Sequence, residues 1–343
     1  MFYLIGVRLG LEDDFARNLV NGFVAVAIGG PHMMSTFLRT GLDENFKQRY
    51  PMLIRSSIII PIVVVSLAFL NLTLLLTVFF FWASLHVLHQ VTYIVELYNH
   101  KEHSFIRKGS AVSLQARLID YAVILTCLFP LAALKISKGS FDVGVNDLTS
   151  VIPDLFQQTW FFVAMSAVFG AALIAYLYKT WQEYRGGYIN WPKTVFISFT
   201  VIVAFTMPAL PNLDTAFQGL NTWHSFQYLA ITFYIIRIKQ QYGQLDKNAP
   251  LVARFSKGKD SRGLYALSAI MLIGSAAVFT VVYAVAHIVT PGTIDPANTR
   301  EIANWRFDVA YYTSILSFLW IHYYHDHFLF TDFEALDDAF ATK

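Results

Sequence analysis

Residues 56–95 read SSIIIPIVVVSLAFLNLTLLLTVFFFWASLHVLHQVTYIV, about 40 positions without an Asp, Glu, Lys or Arg. As one helix this stretch would run roughly 60 Å at 1.5 Å per residue, twice the ~30 Å hydrocarbon core of a bilayer. It therefore reads as two membrane spans joined by a tight turn at Asn71-Leu72-Thr73. Seven further apolar stretches, 18–38, 118–134, 155–178, 194–213, 215–236, 263–294 and 309–325, bring the expected total to about nine. The shortest, 118–134, is bounded by Asp120 and Lys135.

The composition agrees with this reading. The chain has 343 residues, of which 56% are hydrophobic and only 14% charged, with a mean hydropathy of +0.49. Soluble chains carry about a quarter charged residues, so this surface is too poor in charge to solvate a globule. A soluble enzyme, a disordered protein and a disulfide scaffold are excluded, the last because Cys127 stands alone. A net charge of +2 argues against a nucleic-acid partner. Met1 to Gly10 runs into Glu12-Asp13-Asp14 rather than a small-residue cleavage site, so no secretory signal is expected. The fold class expected is an all-α polytopic transmembrane helix bundle, a single membrane-embedded domain over 1–343 with no internal repeat.

Basic residues gather at 39–55, 101–117, 179–193 and 237–262, while the alternating loops at 71, 136–157, 207–214 and 290–305 are poorer in them or acidic. The positive-inside rule then puts the N-terminus outside and the C-terminus in the cytoplasm, in an integral membrane protein expected in a bacterial inner membrane. The mixed stretch 141–156 is expected to lie along the outer surface. The basic loop 246–262 is a topology determinant that can also touch anionic lipid.

Ten histidines carry the chemistry, because several lie within spans. Ionisable groups at membrane depth are costly and usually face a bundle interior. The first span ends in Gly29-Gly30-Pro31-His32, whose glycines let another backbone approach. The third carries His86, His89 and Gln90, the seventh His224 and Gln227, and the ninth His322, His325 and Asp326, each set at helical spacing that shares a face. In the topology above, His32, His86, His89, His322 and His325 share the cytoplasmic third, with His224 nearer mid-depth. A lone intramembrane histidine commonly does no more than bond a neighbouring helix, but four helices supplying imidazole to one layer point to a metal or haem site. Neutral imidazole suits Fe, Cu or Zn, and Gln90, Gln227 and Asp326 are placed to orient the second ring nitrogens. His100, His103 and His287 fall outside this layer, and no catalytic residue beyond the metal ligands is expected. Tyr93 and Tyr228 are candidates to gate a pocket.

These motifs resemble the bacteriorhodopsin-related family of membrane β-carotene 15,15′-dioxygenases and a wider set of His-rich polytopic membrane proteins. The resemblance rests on Gly30-Pro31-His32, on His86 to Gln90 to Tyr98, on His224-Ser225-Phe226-Gln227-Tyr228-Leu229, and on His322-Tyr323-Tyr324-His325-Asp326. It implies a non-haem Fe2+ held by four membrane histidines, here His32, His86, His224 and His322, that uses dioxygen to cleave a polyene. This chain departs from the family in having Met33 after His32 and Gln227 where a late His-x-x-x-His pair is expected. His89 and His325 raise the candidate ligands to six, nearer a two-iron site.

The function expected is thus a membrane-embedded non-haem iron oxygenase acting on a lipophilic substrate, such as a carotenoid or other isoprenoid, with dioxygen. Two alternatives stay open: a two-iron acyl desaturase or hydroxylase, and a non-enzymatic haem-binding, transport or accessory subunit of a membrane complex. Expected partners are that substrate, dioxygen, membrane lipids and, for the accessory reading, other membrane proteins.

Overall fold

The computed structural model of this chain describes residues 6, 8–103, 112–143, 146–210, 213–258, 260–289 and 299–331. Its main helices in chain order are α1 (Asp13–Val24), α2 (Gly30–Arg39), α3 (Ile59–Leu70), α4 (Leu72–Lys101), α5 (Leu114–Thr126), α6 (Phe129–Ser137), α7 (Thr159–Arg185), α8 (Trp191–Thr206), α9 (Leu213–Gln241), α10 (Arg262–Ile270), α11 (Leu272–Val289) and α12 (Thr299–Leu329). A π-helical segment, Ala25–Gly29, joins α1 to α2. Among the described residues the only strands are Asp142–Val143 and Asn146–Asp147, a two-stranded antiparallel pair. Arg107, Lys108, Lys259, most of the first ten residues, the loop at 290–298 and the chain after 331 lie outside the described residues.

The protein is all-α, and six helices are long and apolar enough to cross a membrane: Pro51–Leu70, Leu72–Lys101, Leu114–Ser137, Thr159–Arg185, Trp191–Ala209 and Arg262–Val289. These mark an integral membrane protein. The sequence led us to expect about nine spans, and each marked stretch is indeed helical over most of its length. The other three expected stretches, within 13–39, α9 and α12, are helical and carry His32, His224 and His322, but are not among these six.

The tight turn expected at Asn71 is present. Asn71 leaves helical geometry, and its Oδ1 accepts a hydrogen bond from the Leu74 amide at 2.9 Å, capping the start of α4. Between α5 and α6 the chain turns at Cys127-Leu128, just ahead of Pro130, whose ring removes a backbone donor from the first turn of α6.

The chain divides into two compact units, residues 1–79 with 225–343, and residues 80–224. Both seams fall inside a continuous helix, α4 at Phe79-Phe80 and α9 at His224-Ser225. In the first unit α12 packs along α11 and α3, and α2 packs against α10 and α12. Leu38, Leu229, Phe233, Ile236, Val252 and Leu264 form a core there. In the second unit α7 packs against α5 and α6, and α8 against α5. Its core takes Leu88, Val91 and Val95 from one stripe of α4, together with Val123, Ile124, Phe169 and Ile197. Half of the apolar window of α4 is buried, against 11% for Arg262–Val289. A second face of α4 is therefore also covered by protein, and it holds His86 and Gln90, one turn apart.

Gly30 shows why the start of α2 is glycine-rich. A Cβ at this position would meet both Leu272 Cδ atoms at 2.8 Å and the Ala25 carbonyl oxygen at 2.9 Å. The absent side chain lets Leu272 of α11 lie against the helix two residues before His32, and the π-helical segment just upstream sets the direction in which His32 projects. Gly30→Val should lower stability by about 1–3 kcal/mol through overpacking. Gly22→Val, with nothing within 4 Å of its Cβ position, should change it far less, in thermal unfolding of the detergent-purified protein.

Candidate metal centre

The site grows out of helix spacing. On α2, His32 and Thr36 are one turn apart. On α12, His322 and Asp326 stand in the same relation, and on α9 His224 and Tyr228 do so. All six side chains are at least nine-tenths buried.

In the first unit His32 and His322 meet edge to face with ring centroids 4.5 Å apart, and Tyr228 packs 4.8 Å from His32 and 5.2 Å from His322. His32 Nδ1 shares a 2.7 Å hydrogen bond with the Ser225 hydroxyl. His322 Nδ1 is hydrogen-bonded to the Thr36 hydroxyl, which in turn donates to Asp326 Oδ1 at 3.0 Å. Tyr228 donates to the same carboxylate oxygen at 2.6 Å, and its hydroxyl lies 2.5 Å from that of Thr36. Asp326 Oδ2 approaches His322 Nδ1 at 3.4 Å. In the second unit His86 and His224 also meet edge to face, 5.0 Å between centroids. Gln90 Nε2 donates to the His224 carbonyl at 3.2 Å and so fixes the backbone that carries this imidazole.

One ring nitrogen from each of His32, His86, His224 and His322 lies within 4.8 Å of the other three, and all four residues are buried. These four histidines can hold a metal ion. The donor set fits a borderline metal: four neutral nitrogens and no oxygen ligand suit Fe, Cu or Zn and do not suit Ca2+ or Mg2+. The Nδ1 contacts of His32 and His322 commit those atoms to protein hydroxyls, which makes Nε2 the atom each offers an ion.

The cluster takes four of the six histidines that the sequence put forward. His325 goes elsewhere: its Nε2 is 2.8 Å from the Ser57 hydroxyl and its Nδ1 3.0 Å from that of Thr40. Both nitrogens of His325 are thus engaged in tying α12 to other parts of the first unit. His89 is half-buried and stands outside the four, because three residues of helix rotate it about 60° from His86. Of the expected orienting groups, Asp326 acts on His322 through Thr36, and Gln90 donates to the His224 carbonyl. Gln227 is half-buried one turn beyond His224. Tyr228 is 2% exposed, donates to Asp326 and lies against the Thr36 hydroxyl.

Sequence reasoning missed Thr36 and Ser225. Thr36 carried a usable signal, since it lies one turn from His32 on the same face. Ser225 stood only within the His224–Leu229 motif and not as a partner of His32, because serine inside an apolar helix more often bonds its own backbone.

No known family model, curated protein or solved structure matches this chain.

The carboxylate-to-threonine-to-imidazole chain predicts that Thr36→Val, a change of similar volume, leaves the fold intact. It should weaken metal binding by about 10–100-fold, the usual cost of losing a group that orients a ligand, as measured by competition with a chelator of known affinity.

Proposed function

We propose that this protein is a membrane-embedded non-haem iron oxygenase that acts on a lipophilic substrate, of which a carotenoid or another isoprenoid is the type. The observation that carries this reading is the set of four buried imidazoles supplied by four helical segments, with a carboxylate one residue removed from the ligands. Four neutral ligands leave coordination positions open, as an oxygenase requires. The resemblance of the His32, His86, His224 and His322 motifs to the membrane β-carotene dioxygenases supports the same reading. The alternation of basic loops in the sequence supports a position for this layer towards the cytoplasmic face of a bacterial inner membrane.

Iron bound here would supply the centre at which dioxygen is bound and activated. The protein's part is to hold, orient and keep dry. The four imidazoles hold the ion. Asp326 keeps the proton of His322 on Nδ1 by way of Thr36, and Ser225 holds the His32 ring through its Nδ1. An apolar pocket of about 60 Å3 lies within the second unit on the helices that bear His86 and His224. Phe80, Phe81 and Ser84 line it from α4 and Leu220 from α9, with Phe129 opposite. This volume admits a small apolar molecule such as dioxygen, and a polyene enters only when the phenylalanine rings part. The apolar walls exclude the water that would intercept a reactive intermediate.

The geometry favours this reading over its rivals. A haem iron takes at most two axial side chains, whereas four imidazoles are gathered here. A second iron would need His89 and His325, and both nitrogens of His325 are already bonded to hydroxyls.

Metal analysis of detergent-purified protein should find about one iron per chain without a Soret band, and a His86→Ala, His322→Ala variant should lose it. The loaded protein should then convert a carotenoid to shorter carbonyl products in the presence of dioxygen. Two irons per chain would favour the desaturase reading, a Soret band a haem carrier, and no metal above the variant's level a structural role for the four histidines.

A further inference from the structure

A second cavity, of about 250 Å3, lies wholly within the second unit, at the ends of α4 and α7 and the starts of α5 and α8. Its walls are charged. Glu102, Lys179, Glu183 and Lys193 line it together with Ser113 and Asn190. Three of the charged residues, Glu102, Lys179 and Lys193, are more than nine-tenths buried, as is Asp120 behind them. Burying charge costs several kcal/mol per ion unless it is paired, so the pairing decides what the cavity can bind.

Asp120 is the hub. It accepts from Lys179 Nζ at 2.5 Å and faces Lys193 Nζ at 3.6 Å. Lys179 is saturated, because it also meets Glu183 at 3.3 Å and lies over the Tyr176 ring. Lys193 is not: it donates to Asn99 Oδ1 at 3.0 Å and leans on Asp120, which leaves one of its three N–H donors for the cavity. The starts of two helices line the same space. Ser113 caps α5 by accepting from the Ala116 amide, so its own hydroxyl hydrogen remains to donate, and Asn190 caps α8. A lysine donor, a serine hydroxyl and the start of α5 can together receive an anion. Glu102 is the acidic group of the lining that neither lysine pairs. Among the described residues its carboxylate accepts only from the Asn190 amide at 2.9 Å and faces no cation. Among the described residues, two lysines against Asp120, Glu102 and Glu183 leave the group one negative charge in excess.

We infer that this cavity binds a small zwitterion bearing a primary ammonium and a phosphate, with the ammonium on Glu102 and the phosphate on Lys193 and Ser113. An ammonium supplies the charge and the donors that the Glu102 carboxylate lacks. Two sources carry this chemistry, the ethanolamine headgroup of a phospholipid and a soluble aminoalkyl phosphate. The site is separate from the histidine cluster and does not depend on its function.

The test is thermal unfolding of the full-length protein in detergent with added phosphatidylethanolamine, phosphatidylcholine or phosphatidylglycerol, and separately with O-phosphoethanolamine. Phosphatidylethanolamine should raise the midpoint by about 3 °C or more. The choline lipid, whose nitrogen has no N–H, and the glycerol lipid should leave it near the lipid-free value. The same rise with O-phosphoethanolamine assigns the site to a free ligand, and a rise with the lipid alone assigns it to the membrane. Glu102→Gln, which preserves the bond from Asn190, should abolish the selective rise while leaving metal content unchanged. Equal response to all three lipids with none to O-phosphoethanolamine overturns the inference, as does a selective rise retained in Glu102→Gln. The headgroup series on the unaltered protein decides the matter even if the variant does not fold.

Discussion

Everything in this protein is arranged around the cost of placing polar groups where water cannot reach them. In a bilayer each buried donor or acceptor must find its partner within the protein. The histidines, Asp326 and Tyr228 therefore form linked sets rather than isolated contacts. The Thr36 hydroxyl is the joint of the largest set, touching His322, Asp326 and Tyr228 at once. The same rule governs the far end of the second unit, where Asp120, Lys179, Lys193, Asn99, Glu102 and Asn190 form an unbroken series of ion pairs and hydrogen bonds. One set carries a cluster of neutral donors and the other a balance of full charges, which is why they suit different ligands.

The helical class and the positions of the helices were legible in the sequence, because runs of uncharged residues and the 1.5 Å rise leave little choice. The break at Asn71 followed from length alone, and Asn71 itself supplied the cap that length could not name. The four histidines of the cluster were also legible, through the cost of imidazole at membrane depth. What spacing could not do was separate His86 from His89 or His322 from His325. Residues three apart diverge by about 60° around a helix, and only the packing of the neighbours decides which of them turns inward.

The hydroxyl partners were hidden for a different reason. Thr36, Thr40, Ser57 and Ser225 stand in apolar helices among many similar residues, most of which bond their own backbone, as Ser66 and Thr77 do. The charged network was hidden because its partners are far apart in the chain. Asp120 and Lys179 lie 59 residues apart, and in the sequence each looked like the mere edge of a span.

The π-helical segment at Ala25–Gly29 has a consequence for how this chain can vary. A π segment holds one residue more than the α-helical turn it replaces. Deleting a single residue there would let the segment revert to α-helix while α1 and α2 each kept their own facing. The length of the chain ahead of His32 is thus adjustable by one without moving the histidine. In most helices the same deletion would swing every following side chain about 100° around the axis.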